Sequence, residues 1–142
     1  MSLSLHLRFA YIGAMFKKLT PVLVVHAIEP ILPLWDALGF QRVAEVPHGD
    51  GLGFVILVRD GVEVMYQTVA SARADEPKAM EGPDKVGTAS LFFEVESLDA
   101  VARLVPRDAE VIVRRRTTNY GATEMWIRDV AGNVIGFAEM SQ

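Results

Sequence analysis

The sequence predicts an α+β fold made of two similar modules, each a strand, a helix and three further strands. Two observations carry this. Residues 19–68 and 89–140 show the same order of apolar, amphipathic and turn segments, and VLVVHAIEPILPLWDALGFQRV and SLFFEVESLDAVARLVPRDAEV share one layout. The chain has 142 residues, enough for one domain-sized core, whereas each half alone would be marginal. A duplicated unit places a site in the cleft between two similar sheets. The expected organisation is a leader at 1–14, a first module at 15–70, a linker at 71–87 and a second module at 88–142.

In the first module a strand is predicted at 19–25 and a helix at 28–38. Ile28, Ile31, Leu32, Trp35 and Leu38 recur at helical spacing, which makes Trp35 a core residue. Pro30 suits a first helical turn, where a missing N–H costs little, and Pro33 must lie within or just beyond that turn. Gly39 closes the helix. Strands follow at 40–46, 54–58 and 62–68, with a Gly-rich turn at 48–51 and a tight Asp60-Gly61 hairpin turn. The segment 71–87 holds Pro77, Gly82, Pro83 and six charged residues among 75–85, and reads as a polar loop. The second module opens with a strand at 88–95. Ser97 is a helix N-cap with Asp99 in the first turn, Pro106 ends that helix, and strands follow at 110–116, 122–128 and 133–139.

Composition narrows the function. The chain is 51% apolar and 23% charged, which is globular rather than disordered. A net charge of -4, with Arg114-Arg115-Arg116 as its one basic run, argues against nucleic acid. There are no cysteines, so disulfides, thiolate metal sites and a Cys nucleophile are excluded, and a reducing, cytoplasmic setting is expected. No apolar run has the length of a membrane span. The leader MSLSLHLRFAYIGA lacks the features of a secretory signal, and Met15 is placed to be an alternative start. Nucleophile-elbow, P-loop and dinucleotide-binding motifs are absent.

Four segments in order, LTPVLVVHAIEPILPLWDALGF, GVEVMYQ, SLFFEV and NYGATEMWIRDVAGNVIGFAE, resemble the vicinal oxygen chelate superfamily of glyoxalases, bleomycin-resistance proteins and extradiol dioxygenases. The last is the most specific, through its R-D-x-x-G-N turn. The resemblance implies two βαβββ modules forming an open eight-stranded barrel-like cleft with helices outside, and commonly a homodimer. Metal-dependent members hold a divalent ion with His and Glu side chains from the first and last strand of each module. Carried over residue by residue, those positions are Thr20, Met65, Ser90 and Gly136, none of them a His or a carboxylate. The three histidines, His6, His26 and His48, share no face of one element, and a slipped register would add Glu63 or Gln67 alone. No cofactor and no metal is therefore expected.

Strand alternation extends the carry-over. With Thr20 facing the cavity, Met65 and Gln67 face inward, as do Ser90, Phe92 and Glu94, then Arg114, Glu124 and Trp126. Thr20, Met65, Gln67, Ser90, Phe92, Arg114, Tyr120, Glu124, Trp126 and Gly136 are the candidate ligand-binding residues. Trp126, Phe92 and Met65 are the apolar walls, and Tyr120 is a gate at the mouth. Small Gly136 and Ser90 leave room for a ligand. Arg114 and Glu124 fix its polar end or pair with each other across the strands, and Glu124 is a base if the pocket is dry. The reading is a metal-free small-molecule-binding protein of the bleomycin-resistance type, with a partly aromatic ligand, no nucleic-acid or membrane partner, and a homodimeric state. A metal-dependent lyase, isomerase or dioxygenase is the alternative.

Overall fold

A computed structural model describes residues 13–141. The leader expected at 1–14 lies, up to residue 12, outside the described residues. The first module contains β1 (Val22–Val25), a 3-10 turn (Glu29–Ile31), α1 (Leu32–Ala37), β2 (Gln41–His48), β3 (Gly51–Arg59) and β4 (Val62–Thr68). After α2 (Val69–Asp75) and a second 3-10 turn (Pro77–Met80), the second module contains β5 (Ser90–Glu94), α3 (Leu98–Leu104), β6 (Glu110–Thr117), β7 (Ala122–Arg128) and β8 (Val134–Met140).

The sheets have identical topology, β1-β4-β3-β2 and β5-β8-β7-β6. In each, the first strand runs parallel to the last and the other pairs are antiparallel. Val22 lies opposite Met65 in one ladder and Phe92 opposite Gly136 in the other, which makes those pairs equivalent and bears out the duplication. β1 is shorter than expected because Pro21 has no N–H to donate; its carbonyl accepts from the Met65 N–H at 3.0 Å and the ladder starts one residue later.

Local chemistry explains most elements. Pro30 and Pro33 each fall in the first turn of their own short helix, so two helical pieces replace the single helix expected at 28–38. Ser97 caps α3 by accepting from the Ala100 N–H at 3.1 Å. Asp60 (φ 51°) and Gly61 (φ 76°) make the hairpin turn, with both residues in the left-handed region. The segment 71–87 is not loop throughout. Thr68 Oγ1 accepts from the Ser71 N–H at 3.1 Å and caps α2, and Val69 and Ala72 bury one side of it. The prolines and charges downstream hid this alanine-rich start.

Each sheet has one covered and one open face. Leu23, Val25, Val55, Leu57, Val64 and Tyr66 are buried in the first sheet, and Met125, Ile127, Ile135 and Phe137 in the second. Both covered faces belong to one core centred on Trp35, whose ring lies 6.1 Å from Tyr66 and 6.0 Å from Phe93. The sheets are not closed into a barrel. On the open faces Val22 is 49% and Phe92 47% exposed, so the chain alone does not seal the cleft. Among the described residues, no helix is long and apolar enough to cross a membrane.

A polar tie crosses the module boundary inside the core. Trp35 Nε1 donates to the Tyr66 hydroxyl at 3.1 Å, and that hydroxyl donates to Asp129 Oδ2 at 3.1 Å. Asp129 also accepts from the Ala131 and Asn133 N–H groups and from Asn133 Nδ2, and Asn133 Oδ1 accepts from the Ala89 N–H. The closing hairpin of the second module is thereby bonded to β4 and α1 of the first. Burial and the neighbouring Asp129 charge push the Tyr66 pKa far up, so the hydroxyl stays a donor.

Candidate functional site

Two adjacent rows across the second sheet carry the candidates Phe92, Gly136, Trp126 and Glu124. One row is Phe92, Gly136, Trp126 and Val113; the next is Glu94, Ala138, Glu124 and Arg116. Directly paired residues of neighbouring strands share a face, so each row points to the open face. Gly136 has no side chain there, and a Cβ added to it would stand 2.5 Å from Trp126 Cζ2 and 2.6 Å from Cε2 and Cη2. The Trp126 ring thus lies directly over Gly136. The room expected above that glycine is filled by the indole itself. Phe92 flanks the indole, with centroids 6.0 Å apart and planes tilted by 39°.

Glu124 holds this arrangement in place. It is 1% exposed, because three donors cover its carboxylate. Oε1 accepts from Arg116 Nε at 2.9 Å and from Trp126 Nε1 at 3.0 Å, and the Tyr120 hydroxyl donates to Oε2. The Arg116 guanidinium reaches Oε1 with a second nitrogen, Nη2, also at 2.9 Å. Hydrogen bonds from Tyr120 and Trp126, with the Arg116 charge behind them, hold the Glu124 pKa below the ordinary carboxylate range. The same contact raises the pKa of Tyr120. Glu124 is therefore an ionised anchor with both oxygens occupied. That state does not suit a general base, the role open to Glu124 in a dry pocket, because a base has to take up a proton.

Arg114 requires a correction. It was expected to face Glu124, but Arg116 does. β6 has register shifts between Val111 and Val113 and between Val113 and Arg116. Each shift puts one extra residue into β6, so the two together move the place opposite Glu124 from Arg114, where unbroken pairing from Glu110 would put it, to Arg116. Arg115 pairs instead with Asp99 at 2.9 Å. Tyr120 was expected as a gate; its hydroxyl is engaged on Glu124 while the residue stays exposed.

The remaining candidates lie elsewhere. Ser90 is exposed one row away, opposite Val134. Thr20, Met65 and Gln67 belong to the first module. Thr20 Oγ1 donates to Glu63 Oε1 at 3.1 Å, where Lys18 Nζ also donates at 3.0 Å, and the two hold the Glu63 pKa low, Lys18 the more strongly. Met65 sits between Val22 and Ile56 on the open face, and Gln67 Nε2 donates to Ser71 Oγ at 3.3 Å. The structure gathers Phe92, Tyr120, Glu124, Trp126 and Gly136 into one cluster and adds Arg116.

No family model matches this sequence, and no curated protein matches it. Solved structures do. TioX from Micromonospora sp. ML1 superposes with a TM-score of 0.71 at 14% identity, over 89% of this chain and 100% of that one. A glyoxalase/bleomycin resistance protein/dioxygenase from Nocardioides gives 0.69 at 17%, over 98% and 94%. A lactoylglutathione lyase from Agrobacterium tumefaciens gives 0.69 at 14%, over 89% and 95%. The chain has the vicinal oxygen chelate fold. At these identities the likeness is one of fold.

Within the vicinal oxygen chelate fold, the four positions that hold a metal in metal-dependent members can be tested on the residues present. Thr20 and Ser90 offer neutral hydroxyls and Met65 a thioether, and Gly136 offers no side chain beneath the Trp126 ring. A divalent ion needs several carboxylate or imidazole ligands. Among the described residues, no three His, Asp or Glu side chains converge. The residues do not fit the metal.

Proposed function

We propose that this chain is a metal-free small-molecule-binding protein, and that the open face of its second sheet holds a partly aromatic ligand. The observation that carries this is the posture of Trp126. Its indole is seated on Gly136, pinned through Nε1 by Glu124, and flanked by Phe92, which is about half exposed. A rigid aromatic platform at the surface is available to stack on a planar molecule. Arg116 and Tyr120, both exposed and both anchored on Glu124, flank it and orient the ligand's polar end.

The second part of the reading is a homodimer. The open faces carry exposed apolar side chains, Val22 and Val46 on one sheet and Phe92 on the other, and a second copy of the chain is the proposed cover. Light scattering at micromolar concentration is expected to give twice the chain mass; a strict monomer would remove this part.

The ligand reading is tested by a small-molecule screen read through tryptophan fluorescence, with and without EDTA. Trp35 is fully buried, so Trp126 is the surface reporter. Stacking contributes about 0.5–1.5 kcal/mol beyond area burial, and about 1.4 kcal/mol is one decade. Trp126→Ala is expected to weaken binding by roughly tenfold or more, and EDTA to leave affinity unchanged. A stoichiometric transition metal in protein purified without chelator, or binding that disappears with EDTA, would favour a metal-dependent lyase, isomerase or dioxygenase instead.

A further inference from the structure

The three most exposed large apolar side chains among the described residues stand together. Met15, Phe16 and Leu19 are 85%, 87% and 89% exposed. They belong to one strap, residues 13–19, which has no helix or strand of its own and leads into β1. Apolar groups clustered in water on one short segment point to a surface that receives them.

The first sheet fixes where the strap is rooted. Lys18 Nζ and Thr20 Oγ1 both donate to Glu63 Oε1, and the Pro21 carbonyl accepts from the Met65 N–H. The strap therefore leaves the sheet at the start of β4, the end where the Asp60-Gly61 turn joins β3 to β4. Glu63 shares the open face with Met65, two residues along the strand. Lys18 and Thr20 turn toward that face, so Leu19 between them turns to the other, the side of buried Leu23 and Val64.

On that side, at the same end of the sheet, a groove of about 610 Å3 runs between the modules. Its floor is aromatic. Phe93 stacks on Phe137 (5.8 Å, 17°) and meets Phe40 edge-on (6.3 Å, 66°). Val62 lines one wall and Leu104 of α3 the other, and each is 40% exposed. Val62 is the chain neighbour of Glu63, so the strap's anchor stands at the mouth of the groove. Four residues of extended chain span about 13 Å, which gives Phe16 the reach from Thr20 to the floor. The groove has the volume of a small-molecule site, room for Phe16 and Leu19 together.

We propose that the strap is a lid for this groove. Residues 13–19 swing around the end of the first sheet, Phe16 seats on the Phe93–Phe137 floor, and Leu19 packs on Val62, which closes the groove to other apolar molecules. The structure shows the open state. The reading does not depend on the ligand proposed for the Trp126 platform, because Trp126 and Gly136 lie on the opposite face of the second sheet from Phe93 and Phe137.

The chain has no cysteine, so a disulfide trap reports this contact alone. Phe16→Cys with Ala100→Cys puts one thiol on the strap and one on the groove wall, both at exposed positions. Under mild oxidation the pair is expected to close within one chain, at a rate independent of protein concentration. That rate should exceed by about tenfold or more the rate for Phe16→Cys with Val130→Cys, whose second thiol is exposed on the β7–β8 turn beside α1. Nile red, an uncharged apolar dye, reads the consequence. Phe16→Ser with Leu19→Ser is expected to raise its affinity by about threefold or more, since a site covered about two-thirds of the time shows about a third of its intrinsic affinity. Adding Ala100→Phe, which fills the groove, is expected to abolish that gain. Crosslinking no faster than in the Val130 control, or unchanged dye binding in the serine variant, would overturn the proposal. A disulfide-linked dimer would give the groove to the strap of a second copy and overturn it as well. The serine variant alters only exposed strap positions, so the test stays decisive should a substitution on α3 disturb folding.

Discussion

Tyr66→Phe isolates the tie between the modules. The substitution removes one hydroxyl and leaves the ring, and the equivalent position 137 already packs a Phe, so ring burial is not the variable. Two hydrogen bonds of 3.1 Å disappear, the one accepted from Trp35 Nε1 and the one donated to Asp129 Oδ2. Tyr66 and Trp35 are both fully buried, so no water replaces the lost acceptor of the indole N–H. A neutral hydrogen bond contributes about 1 kcal/mol net and one to a charged group about 1.5–3 kcal/mol. Together these give a loss of about 3 kcal/mol. For a chain of this length that lowers Tm by about 10 °C, a large share of ordinary domain stability. Urea unfolding should give this loss with an unchanged m-value. A double-mutant cycle with Asp129→Asn should return a coupling of about 1–2 kcal/mol between the two positions. A loss below about 0.5 kcal/mol, the level of an ordinary surface change, would refute the argument that this hydroxyl joins the modules.

Three further outcomes concern the Trp126 platform. Gly136→Ala should cost about 1–3 kcal/mol by overpacking and shift Trp126 emission to the red in the same sample, because the new methyl meets the pinned indole at 2.5 Å; a silent Ala would show that the ring does not rest on the glycine. Hydrogen bonds from Tyr120 and Trp126, aided by Arg116, depress the folded-state pKa of Glu124. The contribution is therefore present above the ordinary carboxylate pKa of about 4.3 and is lost as pH falls through the lower folded value. Trp126 emission should hold steady from neutrality through pH 4.3 or so and change only in stronger acid; a transition near neutrality would refute the depressed carboxylate. Arg116→Gln should alter Trp126 emission and its acid transition while Arg114→Gln leaves both as they are, and the reverse pattern would restore the register expected from simple alternation.

The strand–helix–strand–strand–strand order, the Ser97 cap and the Asp60-Gly61 turn were legible in the sequence, because each depends on residues within a few positions of one another, and the duplication was legible because that local order recurs. Alternation also placed Met65 and Gln67, and Phe92 and Trp126, on open faces, since β4, β5 and β7 run unbroken through those pairs. The tertiary structure decided what distant strands do to one another. Irregular pairing in β6 put Arg116 opposite Glu124 in place of Arg114, and no local signal marks where a ladder slips. The Trp126 ring took the space above Gly136, although a glycine in a strand reads from sequence as empty room. The tie from Trp35 through Tyr66 to Asp129 joins residues 31 and 63 positions apart, and only packing the two modules around one core brings them together.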